Sequence, residues 1–544
     1  MQTEKTNNSR RKFLKTGAVA SVGVGAAASA HPLFRAGNRN NADAQRPNII
    51  LAMADDLSWK GMAYIGIDDT VVTPNLDKMS TECLRLDRFY ACPVCSPARA
   101  GCLTGRYPSR EGVMTGGKMD VKREDLIALP QILSSHGYAT AHFGKWHLGD
   151  GHDASPESRG FQESLWTGNN CRHVNPDKYK RGNESVGVIE GDDSEILAYE
   201  VLAFAERSRE QGKPFFATLW FHAPHSPQGS SQKYRDLYPA DTGRIDMYSD
   251  VSAVDGAMGI LRDGLKSQGM TDSTMLCFTS DNGRWPWPTV LHGSKGTLGE
   301  GGLRVPALIE WPAEIREPRL TTIPASIVDY LPTILDYLGI STEEALSPLD
   351  GISLRPLIDG TWEERPKPLA FQWSNWESDY NPETSIYALI DNDIKLLITP
   401  EGDALHNLVT DVQEKENIID QHPEKATEMK SYLEDWIVSM ENSLAGEDYK
   451  STQVFSGKDR LKFPTSYRFT FEQNALVIHS NRVLNGTIRA ELMTVDGRTI
   501  RRWGPASPSG RSIRLSLPAM SKGNYVVRLL QPNGKDVIEK LTLR

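Results

Sequence analysis

Cys95-Ser96-Pro97-Ala98-Arg99, running on to Leu103-Thr104-Gly105-Arg106, sets a thiol, a proline and an arginine at spacings that suit chemistry better than packing. Pro97 fits the first turn of a helix, where no N–H is required. Cys95 then lies near the N-cap, facing unpaired N–H groups and the positive end of the dipole, where an oxyanion is stabilised. Arg99, one turn on, adds a fork of donors suited to a tetrahedral oxyanion. Two other readings of the cysteine stay open at this level: a buried structural thiol, or a redox or metal pair in Cys92-Pro93-Val94-Cys95.

Asp55-Asp56 and Asp281-Asn282 offer only oxygen ligands, which favours Ca²⁺ or Mg²⁺ over zinc. Adjacent aspartates repel unless a cation offsets them; Asp68-Asp69 is expected to be an ordinary surface pair. In Gly144-Lys145-Trp146-His147 an extended backbone would point the lysine and the histidine to one side. His222-Ala223-Pro224-His225 supplies two more imidazoles, and Gly293-Ser294-Lys295-Gly296 opens a glycine-rich stretch able to let backbone approach a ligand. His173, Arg284, Trp285 and Trp287 are expected to shape a sugar pocket, with His222 and His292 beside it, against the alternative of aromatic packing under a loop.

The elements that must position these groups alternate between strand and helix from Arg46 onward. Asn48-Ile49-Ile50-Leu51-Ala52-Met53 is a continuous apolar run, as expected of a parallel strand buried on both faces. Further strands are expected over 138–143, 215–221, 274–278 and 305–310. Met247, Val251, Val254, Met258, Leu261 and Leu265 mark a helix, as do Ile327, Leu331, Ile334, Leu335 and Leu338. The fold class is α/β, a large open, mostly parallel sheet flanked by helices. Asp55-Asp56, Lys145-Trp146-His147, His222–His225 and Asp281-Asn282 each follow a strand. Ligands of open α/β sheets bind outside the carboxyl ends of the strands, so segments far apart in sequence converge on one edge.

A smaller α+β subdomain is expected over 356–450, with a hairpin at Asp391-Asn392-Asp393 and a helix carrying Met429, Leu433, Trp436 and Met440. After a linker at 451–465, hairpin signals at Asp496-Gly497 and Asn533-Gly534 predict a β-sandwich over 466–544, a sorting or accessory domain. The catalytic domain then occupies 46–355. At the other end, Ser9-Arg10-Arg11-Lys12-Phe13-Leu14-Lys15 and a weakly apolar run to Ala28 read as a twin-arginine export signal over 1–30, followed by a polar linker at 31–45. That run is too short to span a bilayer, and export through the twin-arginine translocase places the protein in the periplasm, on the cell surface or outside the cell. The net charge of −9 argues against a nucleic-acid partner, and six cysteines in 544 residues do not form a disulfide scaffold.

Taken together, the Cys95–Arg106 stretch, the two strand-end acidic pairs and Gly144–Gly149 resemble the formylglycine-dependent sulfatases of the alkaline phosphatase superfamily. The resemblance covers about residues 46 to 440; Ala98 stands where that family commonly has serine. It implies that a formylglycine-generating enzyme oxidises Cys95 to 3-oxoalanine, whose hydrate attacks sulfur. It implies a divalent cation, Ca²⁺ or Mg²⁺, at Asp55, Asp56, Cys95, Asp281 and Asn282. Arg99 and Lys145 would stabilise the sulfuryl oxygens, His225 or Lys295 would protonate the leaving alkoxide, and His147 would act as base for sulfate release. The expected activity is hydrolysis of sulfate esters, with sulfated carbohydrate as substrate. The alternatives are a phosphonate or phosphate ester hydrolase of the same superfamily, and a non-catalytic polysaccharide-binding homologue. The C-terminal segment, with Gly523-Asn524-Tyr525-Val526-Val527-Arg528 and a terminal Lys-Leu-Thr-Leu-Arg, resembles type IX secretion sorting domains, implying that machinery as a partner.

Overall fold

The computed structural model describes residues 46–115, 126–284 and 290–448, apart from 378 and 383, and the strands lying between 467 and 543. The export signal at 1–30, the linkers at 31–45 and 451–465, Trp285, Trp287 and the turns at Asp496-Gly497 and Asn533-Gly534 lie outside the described residues.

The main sheet is built on β1 (Asn48–Ala54), β2 (Leu84–Tyr90), β3 (Ala139–Lys145), β4 (Glu163–Thr167), β5 (Phe215–Trp220), β6 (Thr274–Ser280), β7 (Arg304–Glu310) and β8 (Arg319–Thr321). Its order is β8-β2-β7-β6-β1-β5-β3-β4, with two short strands continuing beyond β4. The β6–β1, β1–β5, β5–β3 and β3–β4 pairs are parallel, while β7 runs antiparallel to both neighbours, so the sheet is mixed and mostly parallel. Alternation within β1 explains its unbroken apolar run. Ile49, Leu51 and Met53 enter one core, and Ile50, Ala52 and Ala54 enter the other.

On one face lie α1 (Pro74–Ser80), α3 (Asp193–Glu210) and α4 (Ile245–Ser267); on the other, α2 (Cys95–Thr104) and α5 (Tyr330–Leu338). The core that takes Ile49, Leu51 and Met53 extends to the antiparallel sheet of β9 (Leu369–Trp373), β10 (Ile386–Asp391), β11 (Ile394–Thr399) and β12 (Gly402–Asn407), and to α6 (Pro423–Ala445). Tyr90 of β2 meets Phe371 of β9 with ring centroids 6.3 Å apart, and Tyr107 packs edge-on against Trp436 of α6 at 5.8 Å, so aromatic contacts join the main sheet to the smaller unit. Beyond residue 466, seven strands form two antiparallel sheets of three and four strands. Among the described residues no helix is long and apolar enough to cross a membrane.

Candidate active site

Sheet register does the first part of the positioning. Ala54 and Ser280 are partners at the ends of β1 and β6, and Gly144 pairs with Trp220 at the ends of β3 and β5. The next residues along the chain are Asp55, Asp281, Lys145 and Phe221, all at the same carboxyl edge. Gly144 makes this possible. Its φ is +111°, and a Cβ there would stand 1.9 Å from the carbonyl oxygen of Trp220.

Cys95 opens α2, with Val94 as N-cap and Pro97 in the first turn. The thiol is buried among charged groups: Sγ lies 3.3 Å from Oδ1 of Asp55, 3.7 Å from Oδ1 of Asp56 and 3.2 Å from Nζ of Lys295. Burial pushes the Cys95 thiol well above its ordinary value, and the carboxylates of Asp281 and Asp55 push further. The encoded thiol is therefore held protonated, a poor nucleophile in its own right. Cys92 is also buried and unpaired, so the Cys92–Cys95 stretch carries no disulfide here.

Asp56, in the left-handed region at φ +63°, turns its backbone N–H to Oδ1 of Asp281 at 3.0 Å. Asn282 donates from Nδ2 to Oδ1 of Asp56 at 2.7 Å, and Lys295 reaches the same oxygen at 2.6 Å. His225 places Nε2 3.6 Å from Oδ2 of Asp56 and its Nδ1 on the carbonyl of Ser226. Lys145 contacts Asp55 Oδ2. Burial alone would raise the Asp55 carboxyl, but Lys145, His225, Arg99 and Lys295 hold it well below the carboxylate range. Asp281 is pushed up to about 6 by burial and by the neighbouring Asp55 charge.

Asp55, Asp56, Cys95 and His225 each offer a ligand atom within 4.8 Å of the others. A hard divalent cation fits this corner. Three carboxylates and an amide converge, and Oδ1 of Asn282 is buried with no partner, an acceptor left over by the protein's own hydrogen bonds.

Arg99 departs from the expectation of a fork open to an oxyanion. It is fully buried, with Nη2 at 2.7 Å from Asp281 and 3.2 Å from Asp55, Nη1 on the carbonyl of Lys145, and the guanidinium 5.2 Å from the Trp220 ring. In this arrangement it locks the carboxylates in place. His147, at φ +57°, accepts Ser96 Oγ on its carbonyl at 2.7 Å and leaves Nδ1 buried without a partner. Burial, then Lys145 and Arg99, depress this imidazole to about 2, so it is neutral at rest.

The residues expected around a sugar pocket are placed less uniformly. His222 is buried, with Nδ1 at 2.9 Å from Asp193 and Nε2 at 2.7 Å from Thr167 Oγ1. His173 is buried with Nδ1 at 3.0 Å from Asp250. Both imidazoles thus face internal aspartates. Arg284 is mostly buried, donating to the carbonyl of Pro224 at 2.6 Å. His292 is exposed, with Nδ1 3.6 Å from Glu414.

The glycine-rich stretch packs against protein backbone. Gly283 N–H donates to Gly302 O at 2.9 Å, and a Cβ on Gly283 would stand 1.9 Å from the Gly301 carbonyl. That close approach presses the loop bearing Lys295 onto the end of β6. Sequence reasoning missed the support behind this loop. Buried Lys395 lies 3.1 Å from Glu300 and 2.8 Å from Glu414, and Glu414 accepts the Glu300 N–H at 2.6 Å. A lysine as the second residue of the otherwise apolar strand β11 was the available signal.

The sheet, its flanking helices and the polar cluster at the strand ends define an enzyme of the alkaline phosphatase superfamily. A model of the sulfatase family matches residues 47–340, more than half of the chain. Human arylsulfatase A is 31% identical over 361 residues, covering 59% of this chain and 69% of that protein. Human N-acetylgalactosamine-6-sulfatase is 32% identical over 367 residues, covering 59% and 68%. Among solved structures, Ps i-CgsB in complex with k-i-k-neocarrahexaose superposes with a TM-score of 0.64 at 25% identity, covering 72% of this chain and 93% of that one. The chain belongs to the sulfatase family and is a sulfuric ester hydrolase.

Proposed function

We propose that this sulfatase removes sulfate from sulfated carbohydrates, using Cys95 after its oxidation to formylglycine by a separate generating enzyme. The observation that carries the reading is the position of Cys95. Its Sγ, at a helix start, sits 3.3 Å from Asp55 and 3.2 Å from Lys295. The protonated, buried thiol suits a residue that must be converted before it works. A formylglycine hydrate supplies a hydroxyl nucleophile and a carbonyl that can reform. Asp55, Asp56, Asp281 and Asn282 would hold Ca²⁺ or Mg²⁺, which when bound polarises a sulfate oxygen.

The protein's own groups divide the remaining work. Lys295, in reach of residue 95, and His225, beside Asp56, are placed to donate a proton to the leaving oxygen. His147, neutral in its buried setting, is the base that takes a proton to release sulfate. Arg99 and Lys145 keep the Asp55 and Asp281 carboxylates aimed and offset their charge. A carbohydrate substrate is supported by the relatives, one named N-acetylgalactosamine-6-sulfatase and one solved in complex with k-i-k-neocarrahexaose. The residue 1–30 segment supports export by the twin-arginine route, and the C-terminal strands support a sorting or accessory role at the cell surface.

The test is sulfate release from purified sulfated oligosaccharides by protein co-produced with a formylglycine-generating enzyme, beside Cys95→Ala. Wild type is expected to release sulfate and show the aldehyde by mass spectrometry of the peptide containing residue 95. Cys95→Ala should lose turnover while its unfolding midpoint stays close to wild type. Retained turnover in the variant would refute the nucleophile assignment.

A further inference from the structure

Trp376 is held in a conformation that packing alone does not explain. It follows β9, with φ at +68°, and Asn375 before it is also left-handed at +48°. Two consecutive non-glycine residues in that region are uncommon, and a bulky aromatic is a poor occupant. The strain does not serve burial, because Trp376 remains 57% exposed. Its ring stands edge-on to buried Trp373, with centroids 5.2 Å apart at 83°.

The same ring also meets the Lys295 loop. A Cβ on Gly296 would lie 2.4 Å from Cζ2 and 3.1 Å from Nε1 of Trp376, so only glycine lets the indole come this close. The Gly296 N–H in turn donates to the carbonyl of Pro93 at 2.8 Å, two residues before Cys95. The exposed indole is therefore one residue from Lys295, whose Nζ contacts Asp56 and Cys95. The smaller sheet thus brings a rigid, solvent-facing aromatic surface to the rim of the reacting centre.

We propose that Trp376 is a stacking platform for a pyranose ring of the saccharide that carries the sulfate ester. The inference rests on the carbohydrate reading above and adds a binding residue to it. An aromatic ring pre-set by its backbone loses little freedom on binding, and its face suits the C–H side of a sugar. The contact with Gly296 keeps the sugar in register with Lys295.

The probes are 4-nitrophenyl sulfate and whichever sulfated oligosaccharide, from a carrageenan, chondroitin sulfate and heparin panel, wild type desulfates fastest. Trp376→Ala should raise KM for the oligosaccharide about three- to tenfold with little change in kcat, and Trp376→Tyr should recover most of the loss. Trp376→Gly, which takes the left-handed backbone without strain, should show the same KM rise and covers a folding failure of the alanine variant. An oligosaccharide KM changed by less than about twofold overturns the platform, as does a parallel fall of kcat on both substrates, which would mark Trp376 as a prop for the Lys295 loop. Those results leave the carbohydrate reading standing. Wild type that turns over 4-nitrophenyl sulfate but none of the oligosaccharides overturns both.

Discussion

Asn282 and Asp56, 226 residues apart in sequence, are joined by a 2.7 Å hydrogen bond from the asparagine Nδ2 to the aspartate Oδ1. The bond fixes which way the amide faces, and so leaves its Oδ1 buried, unpartnered and available as a ligand. Asn282→Ala removes the ligand and the donor that aims Asp56. Divalent-cation affinity should fall about ten- to hundredfold, read by metal titration and by elemental analysis of purified protein. Asn282→Asp keeps an oxygen in place and should retain the metal. Asp281→Ala should lose it more completely, since Asp281 also accepts the Asp56 N–H. Equal metal content in wild type and Asn282→Ala would remove Asn282 from the ligand set.

Gly144 pairs with Trp220 where β3 and β5 reach the site. A methyl group there meets the Trp220 carbonyl at 1.9 Å and needs an L-residue at φ +111°. Gly144→Ala should cost about 2–4 kcal/mol of stability, measured by urea unfolding. Because Lys145 is the next residue, kcat should fall even in the fraction that folds. A variant within about 0.5 kcal/mol of wild type would show that the strands separate freely there.

The imidazole of His147 gives the stability a defined pH sense. Burial and the Lys145 and Arg99 charges depress it from 6.5 to about 2, so in the fold it stays neutral where the unfolded chain takes a proton. Its contribution is therefore complete above about pH 6.5 and is lost as pH falls below that value, by about 1.4 kcal/mol per pH unit. His142 and His222, also depressed chiefly by burial, act in the same direction. Urea midpoints between about pH 7.5 and 5.5 should drop more steeply for wild type than for His147→Gln. Superimposable slopes would mean that His147 titrates normally and is not a neutral base at rest.

Much of the site was legible before any fold was known, because strand ends are marked by composition. The apolar runs at 48–53, 138–143, 215–221 and 274–278 each end on a polar cluster, and the register pairs Ala54–Ser280 and Gly144–Trp220 turn those clusters into neighbours. Pro97, two residues after Cys95, likewise foretold a helix start, since proline tolerates the first turn and little else of a helix.

Partner choice was a different matter. His222 and His173 looked like pocket residues, and only the fold revealed Asp193 and Asp250 behind them, the latter on a helix whose apolar stripe gave no reason to expect a buried acid. Arg99 has the same composition signature whether its fork faces solvent or two carboxylates; packing against Trp220 settled it. The sequence alone determined which residue types end each strand, because backbone period and side-chain polarity are local properties. Tertiary structure decided which charge faces which, which glycine admits a neighbouring backbone, and that Trp376 reaches the Lys295 loop. Those outcomes depend on contacts between segments far apart along the chain, where distance and burial set the energy and no local pattern records them.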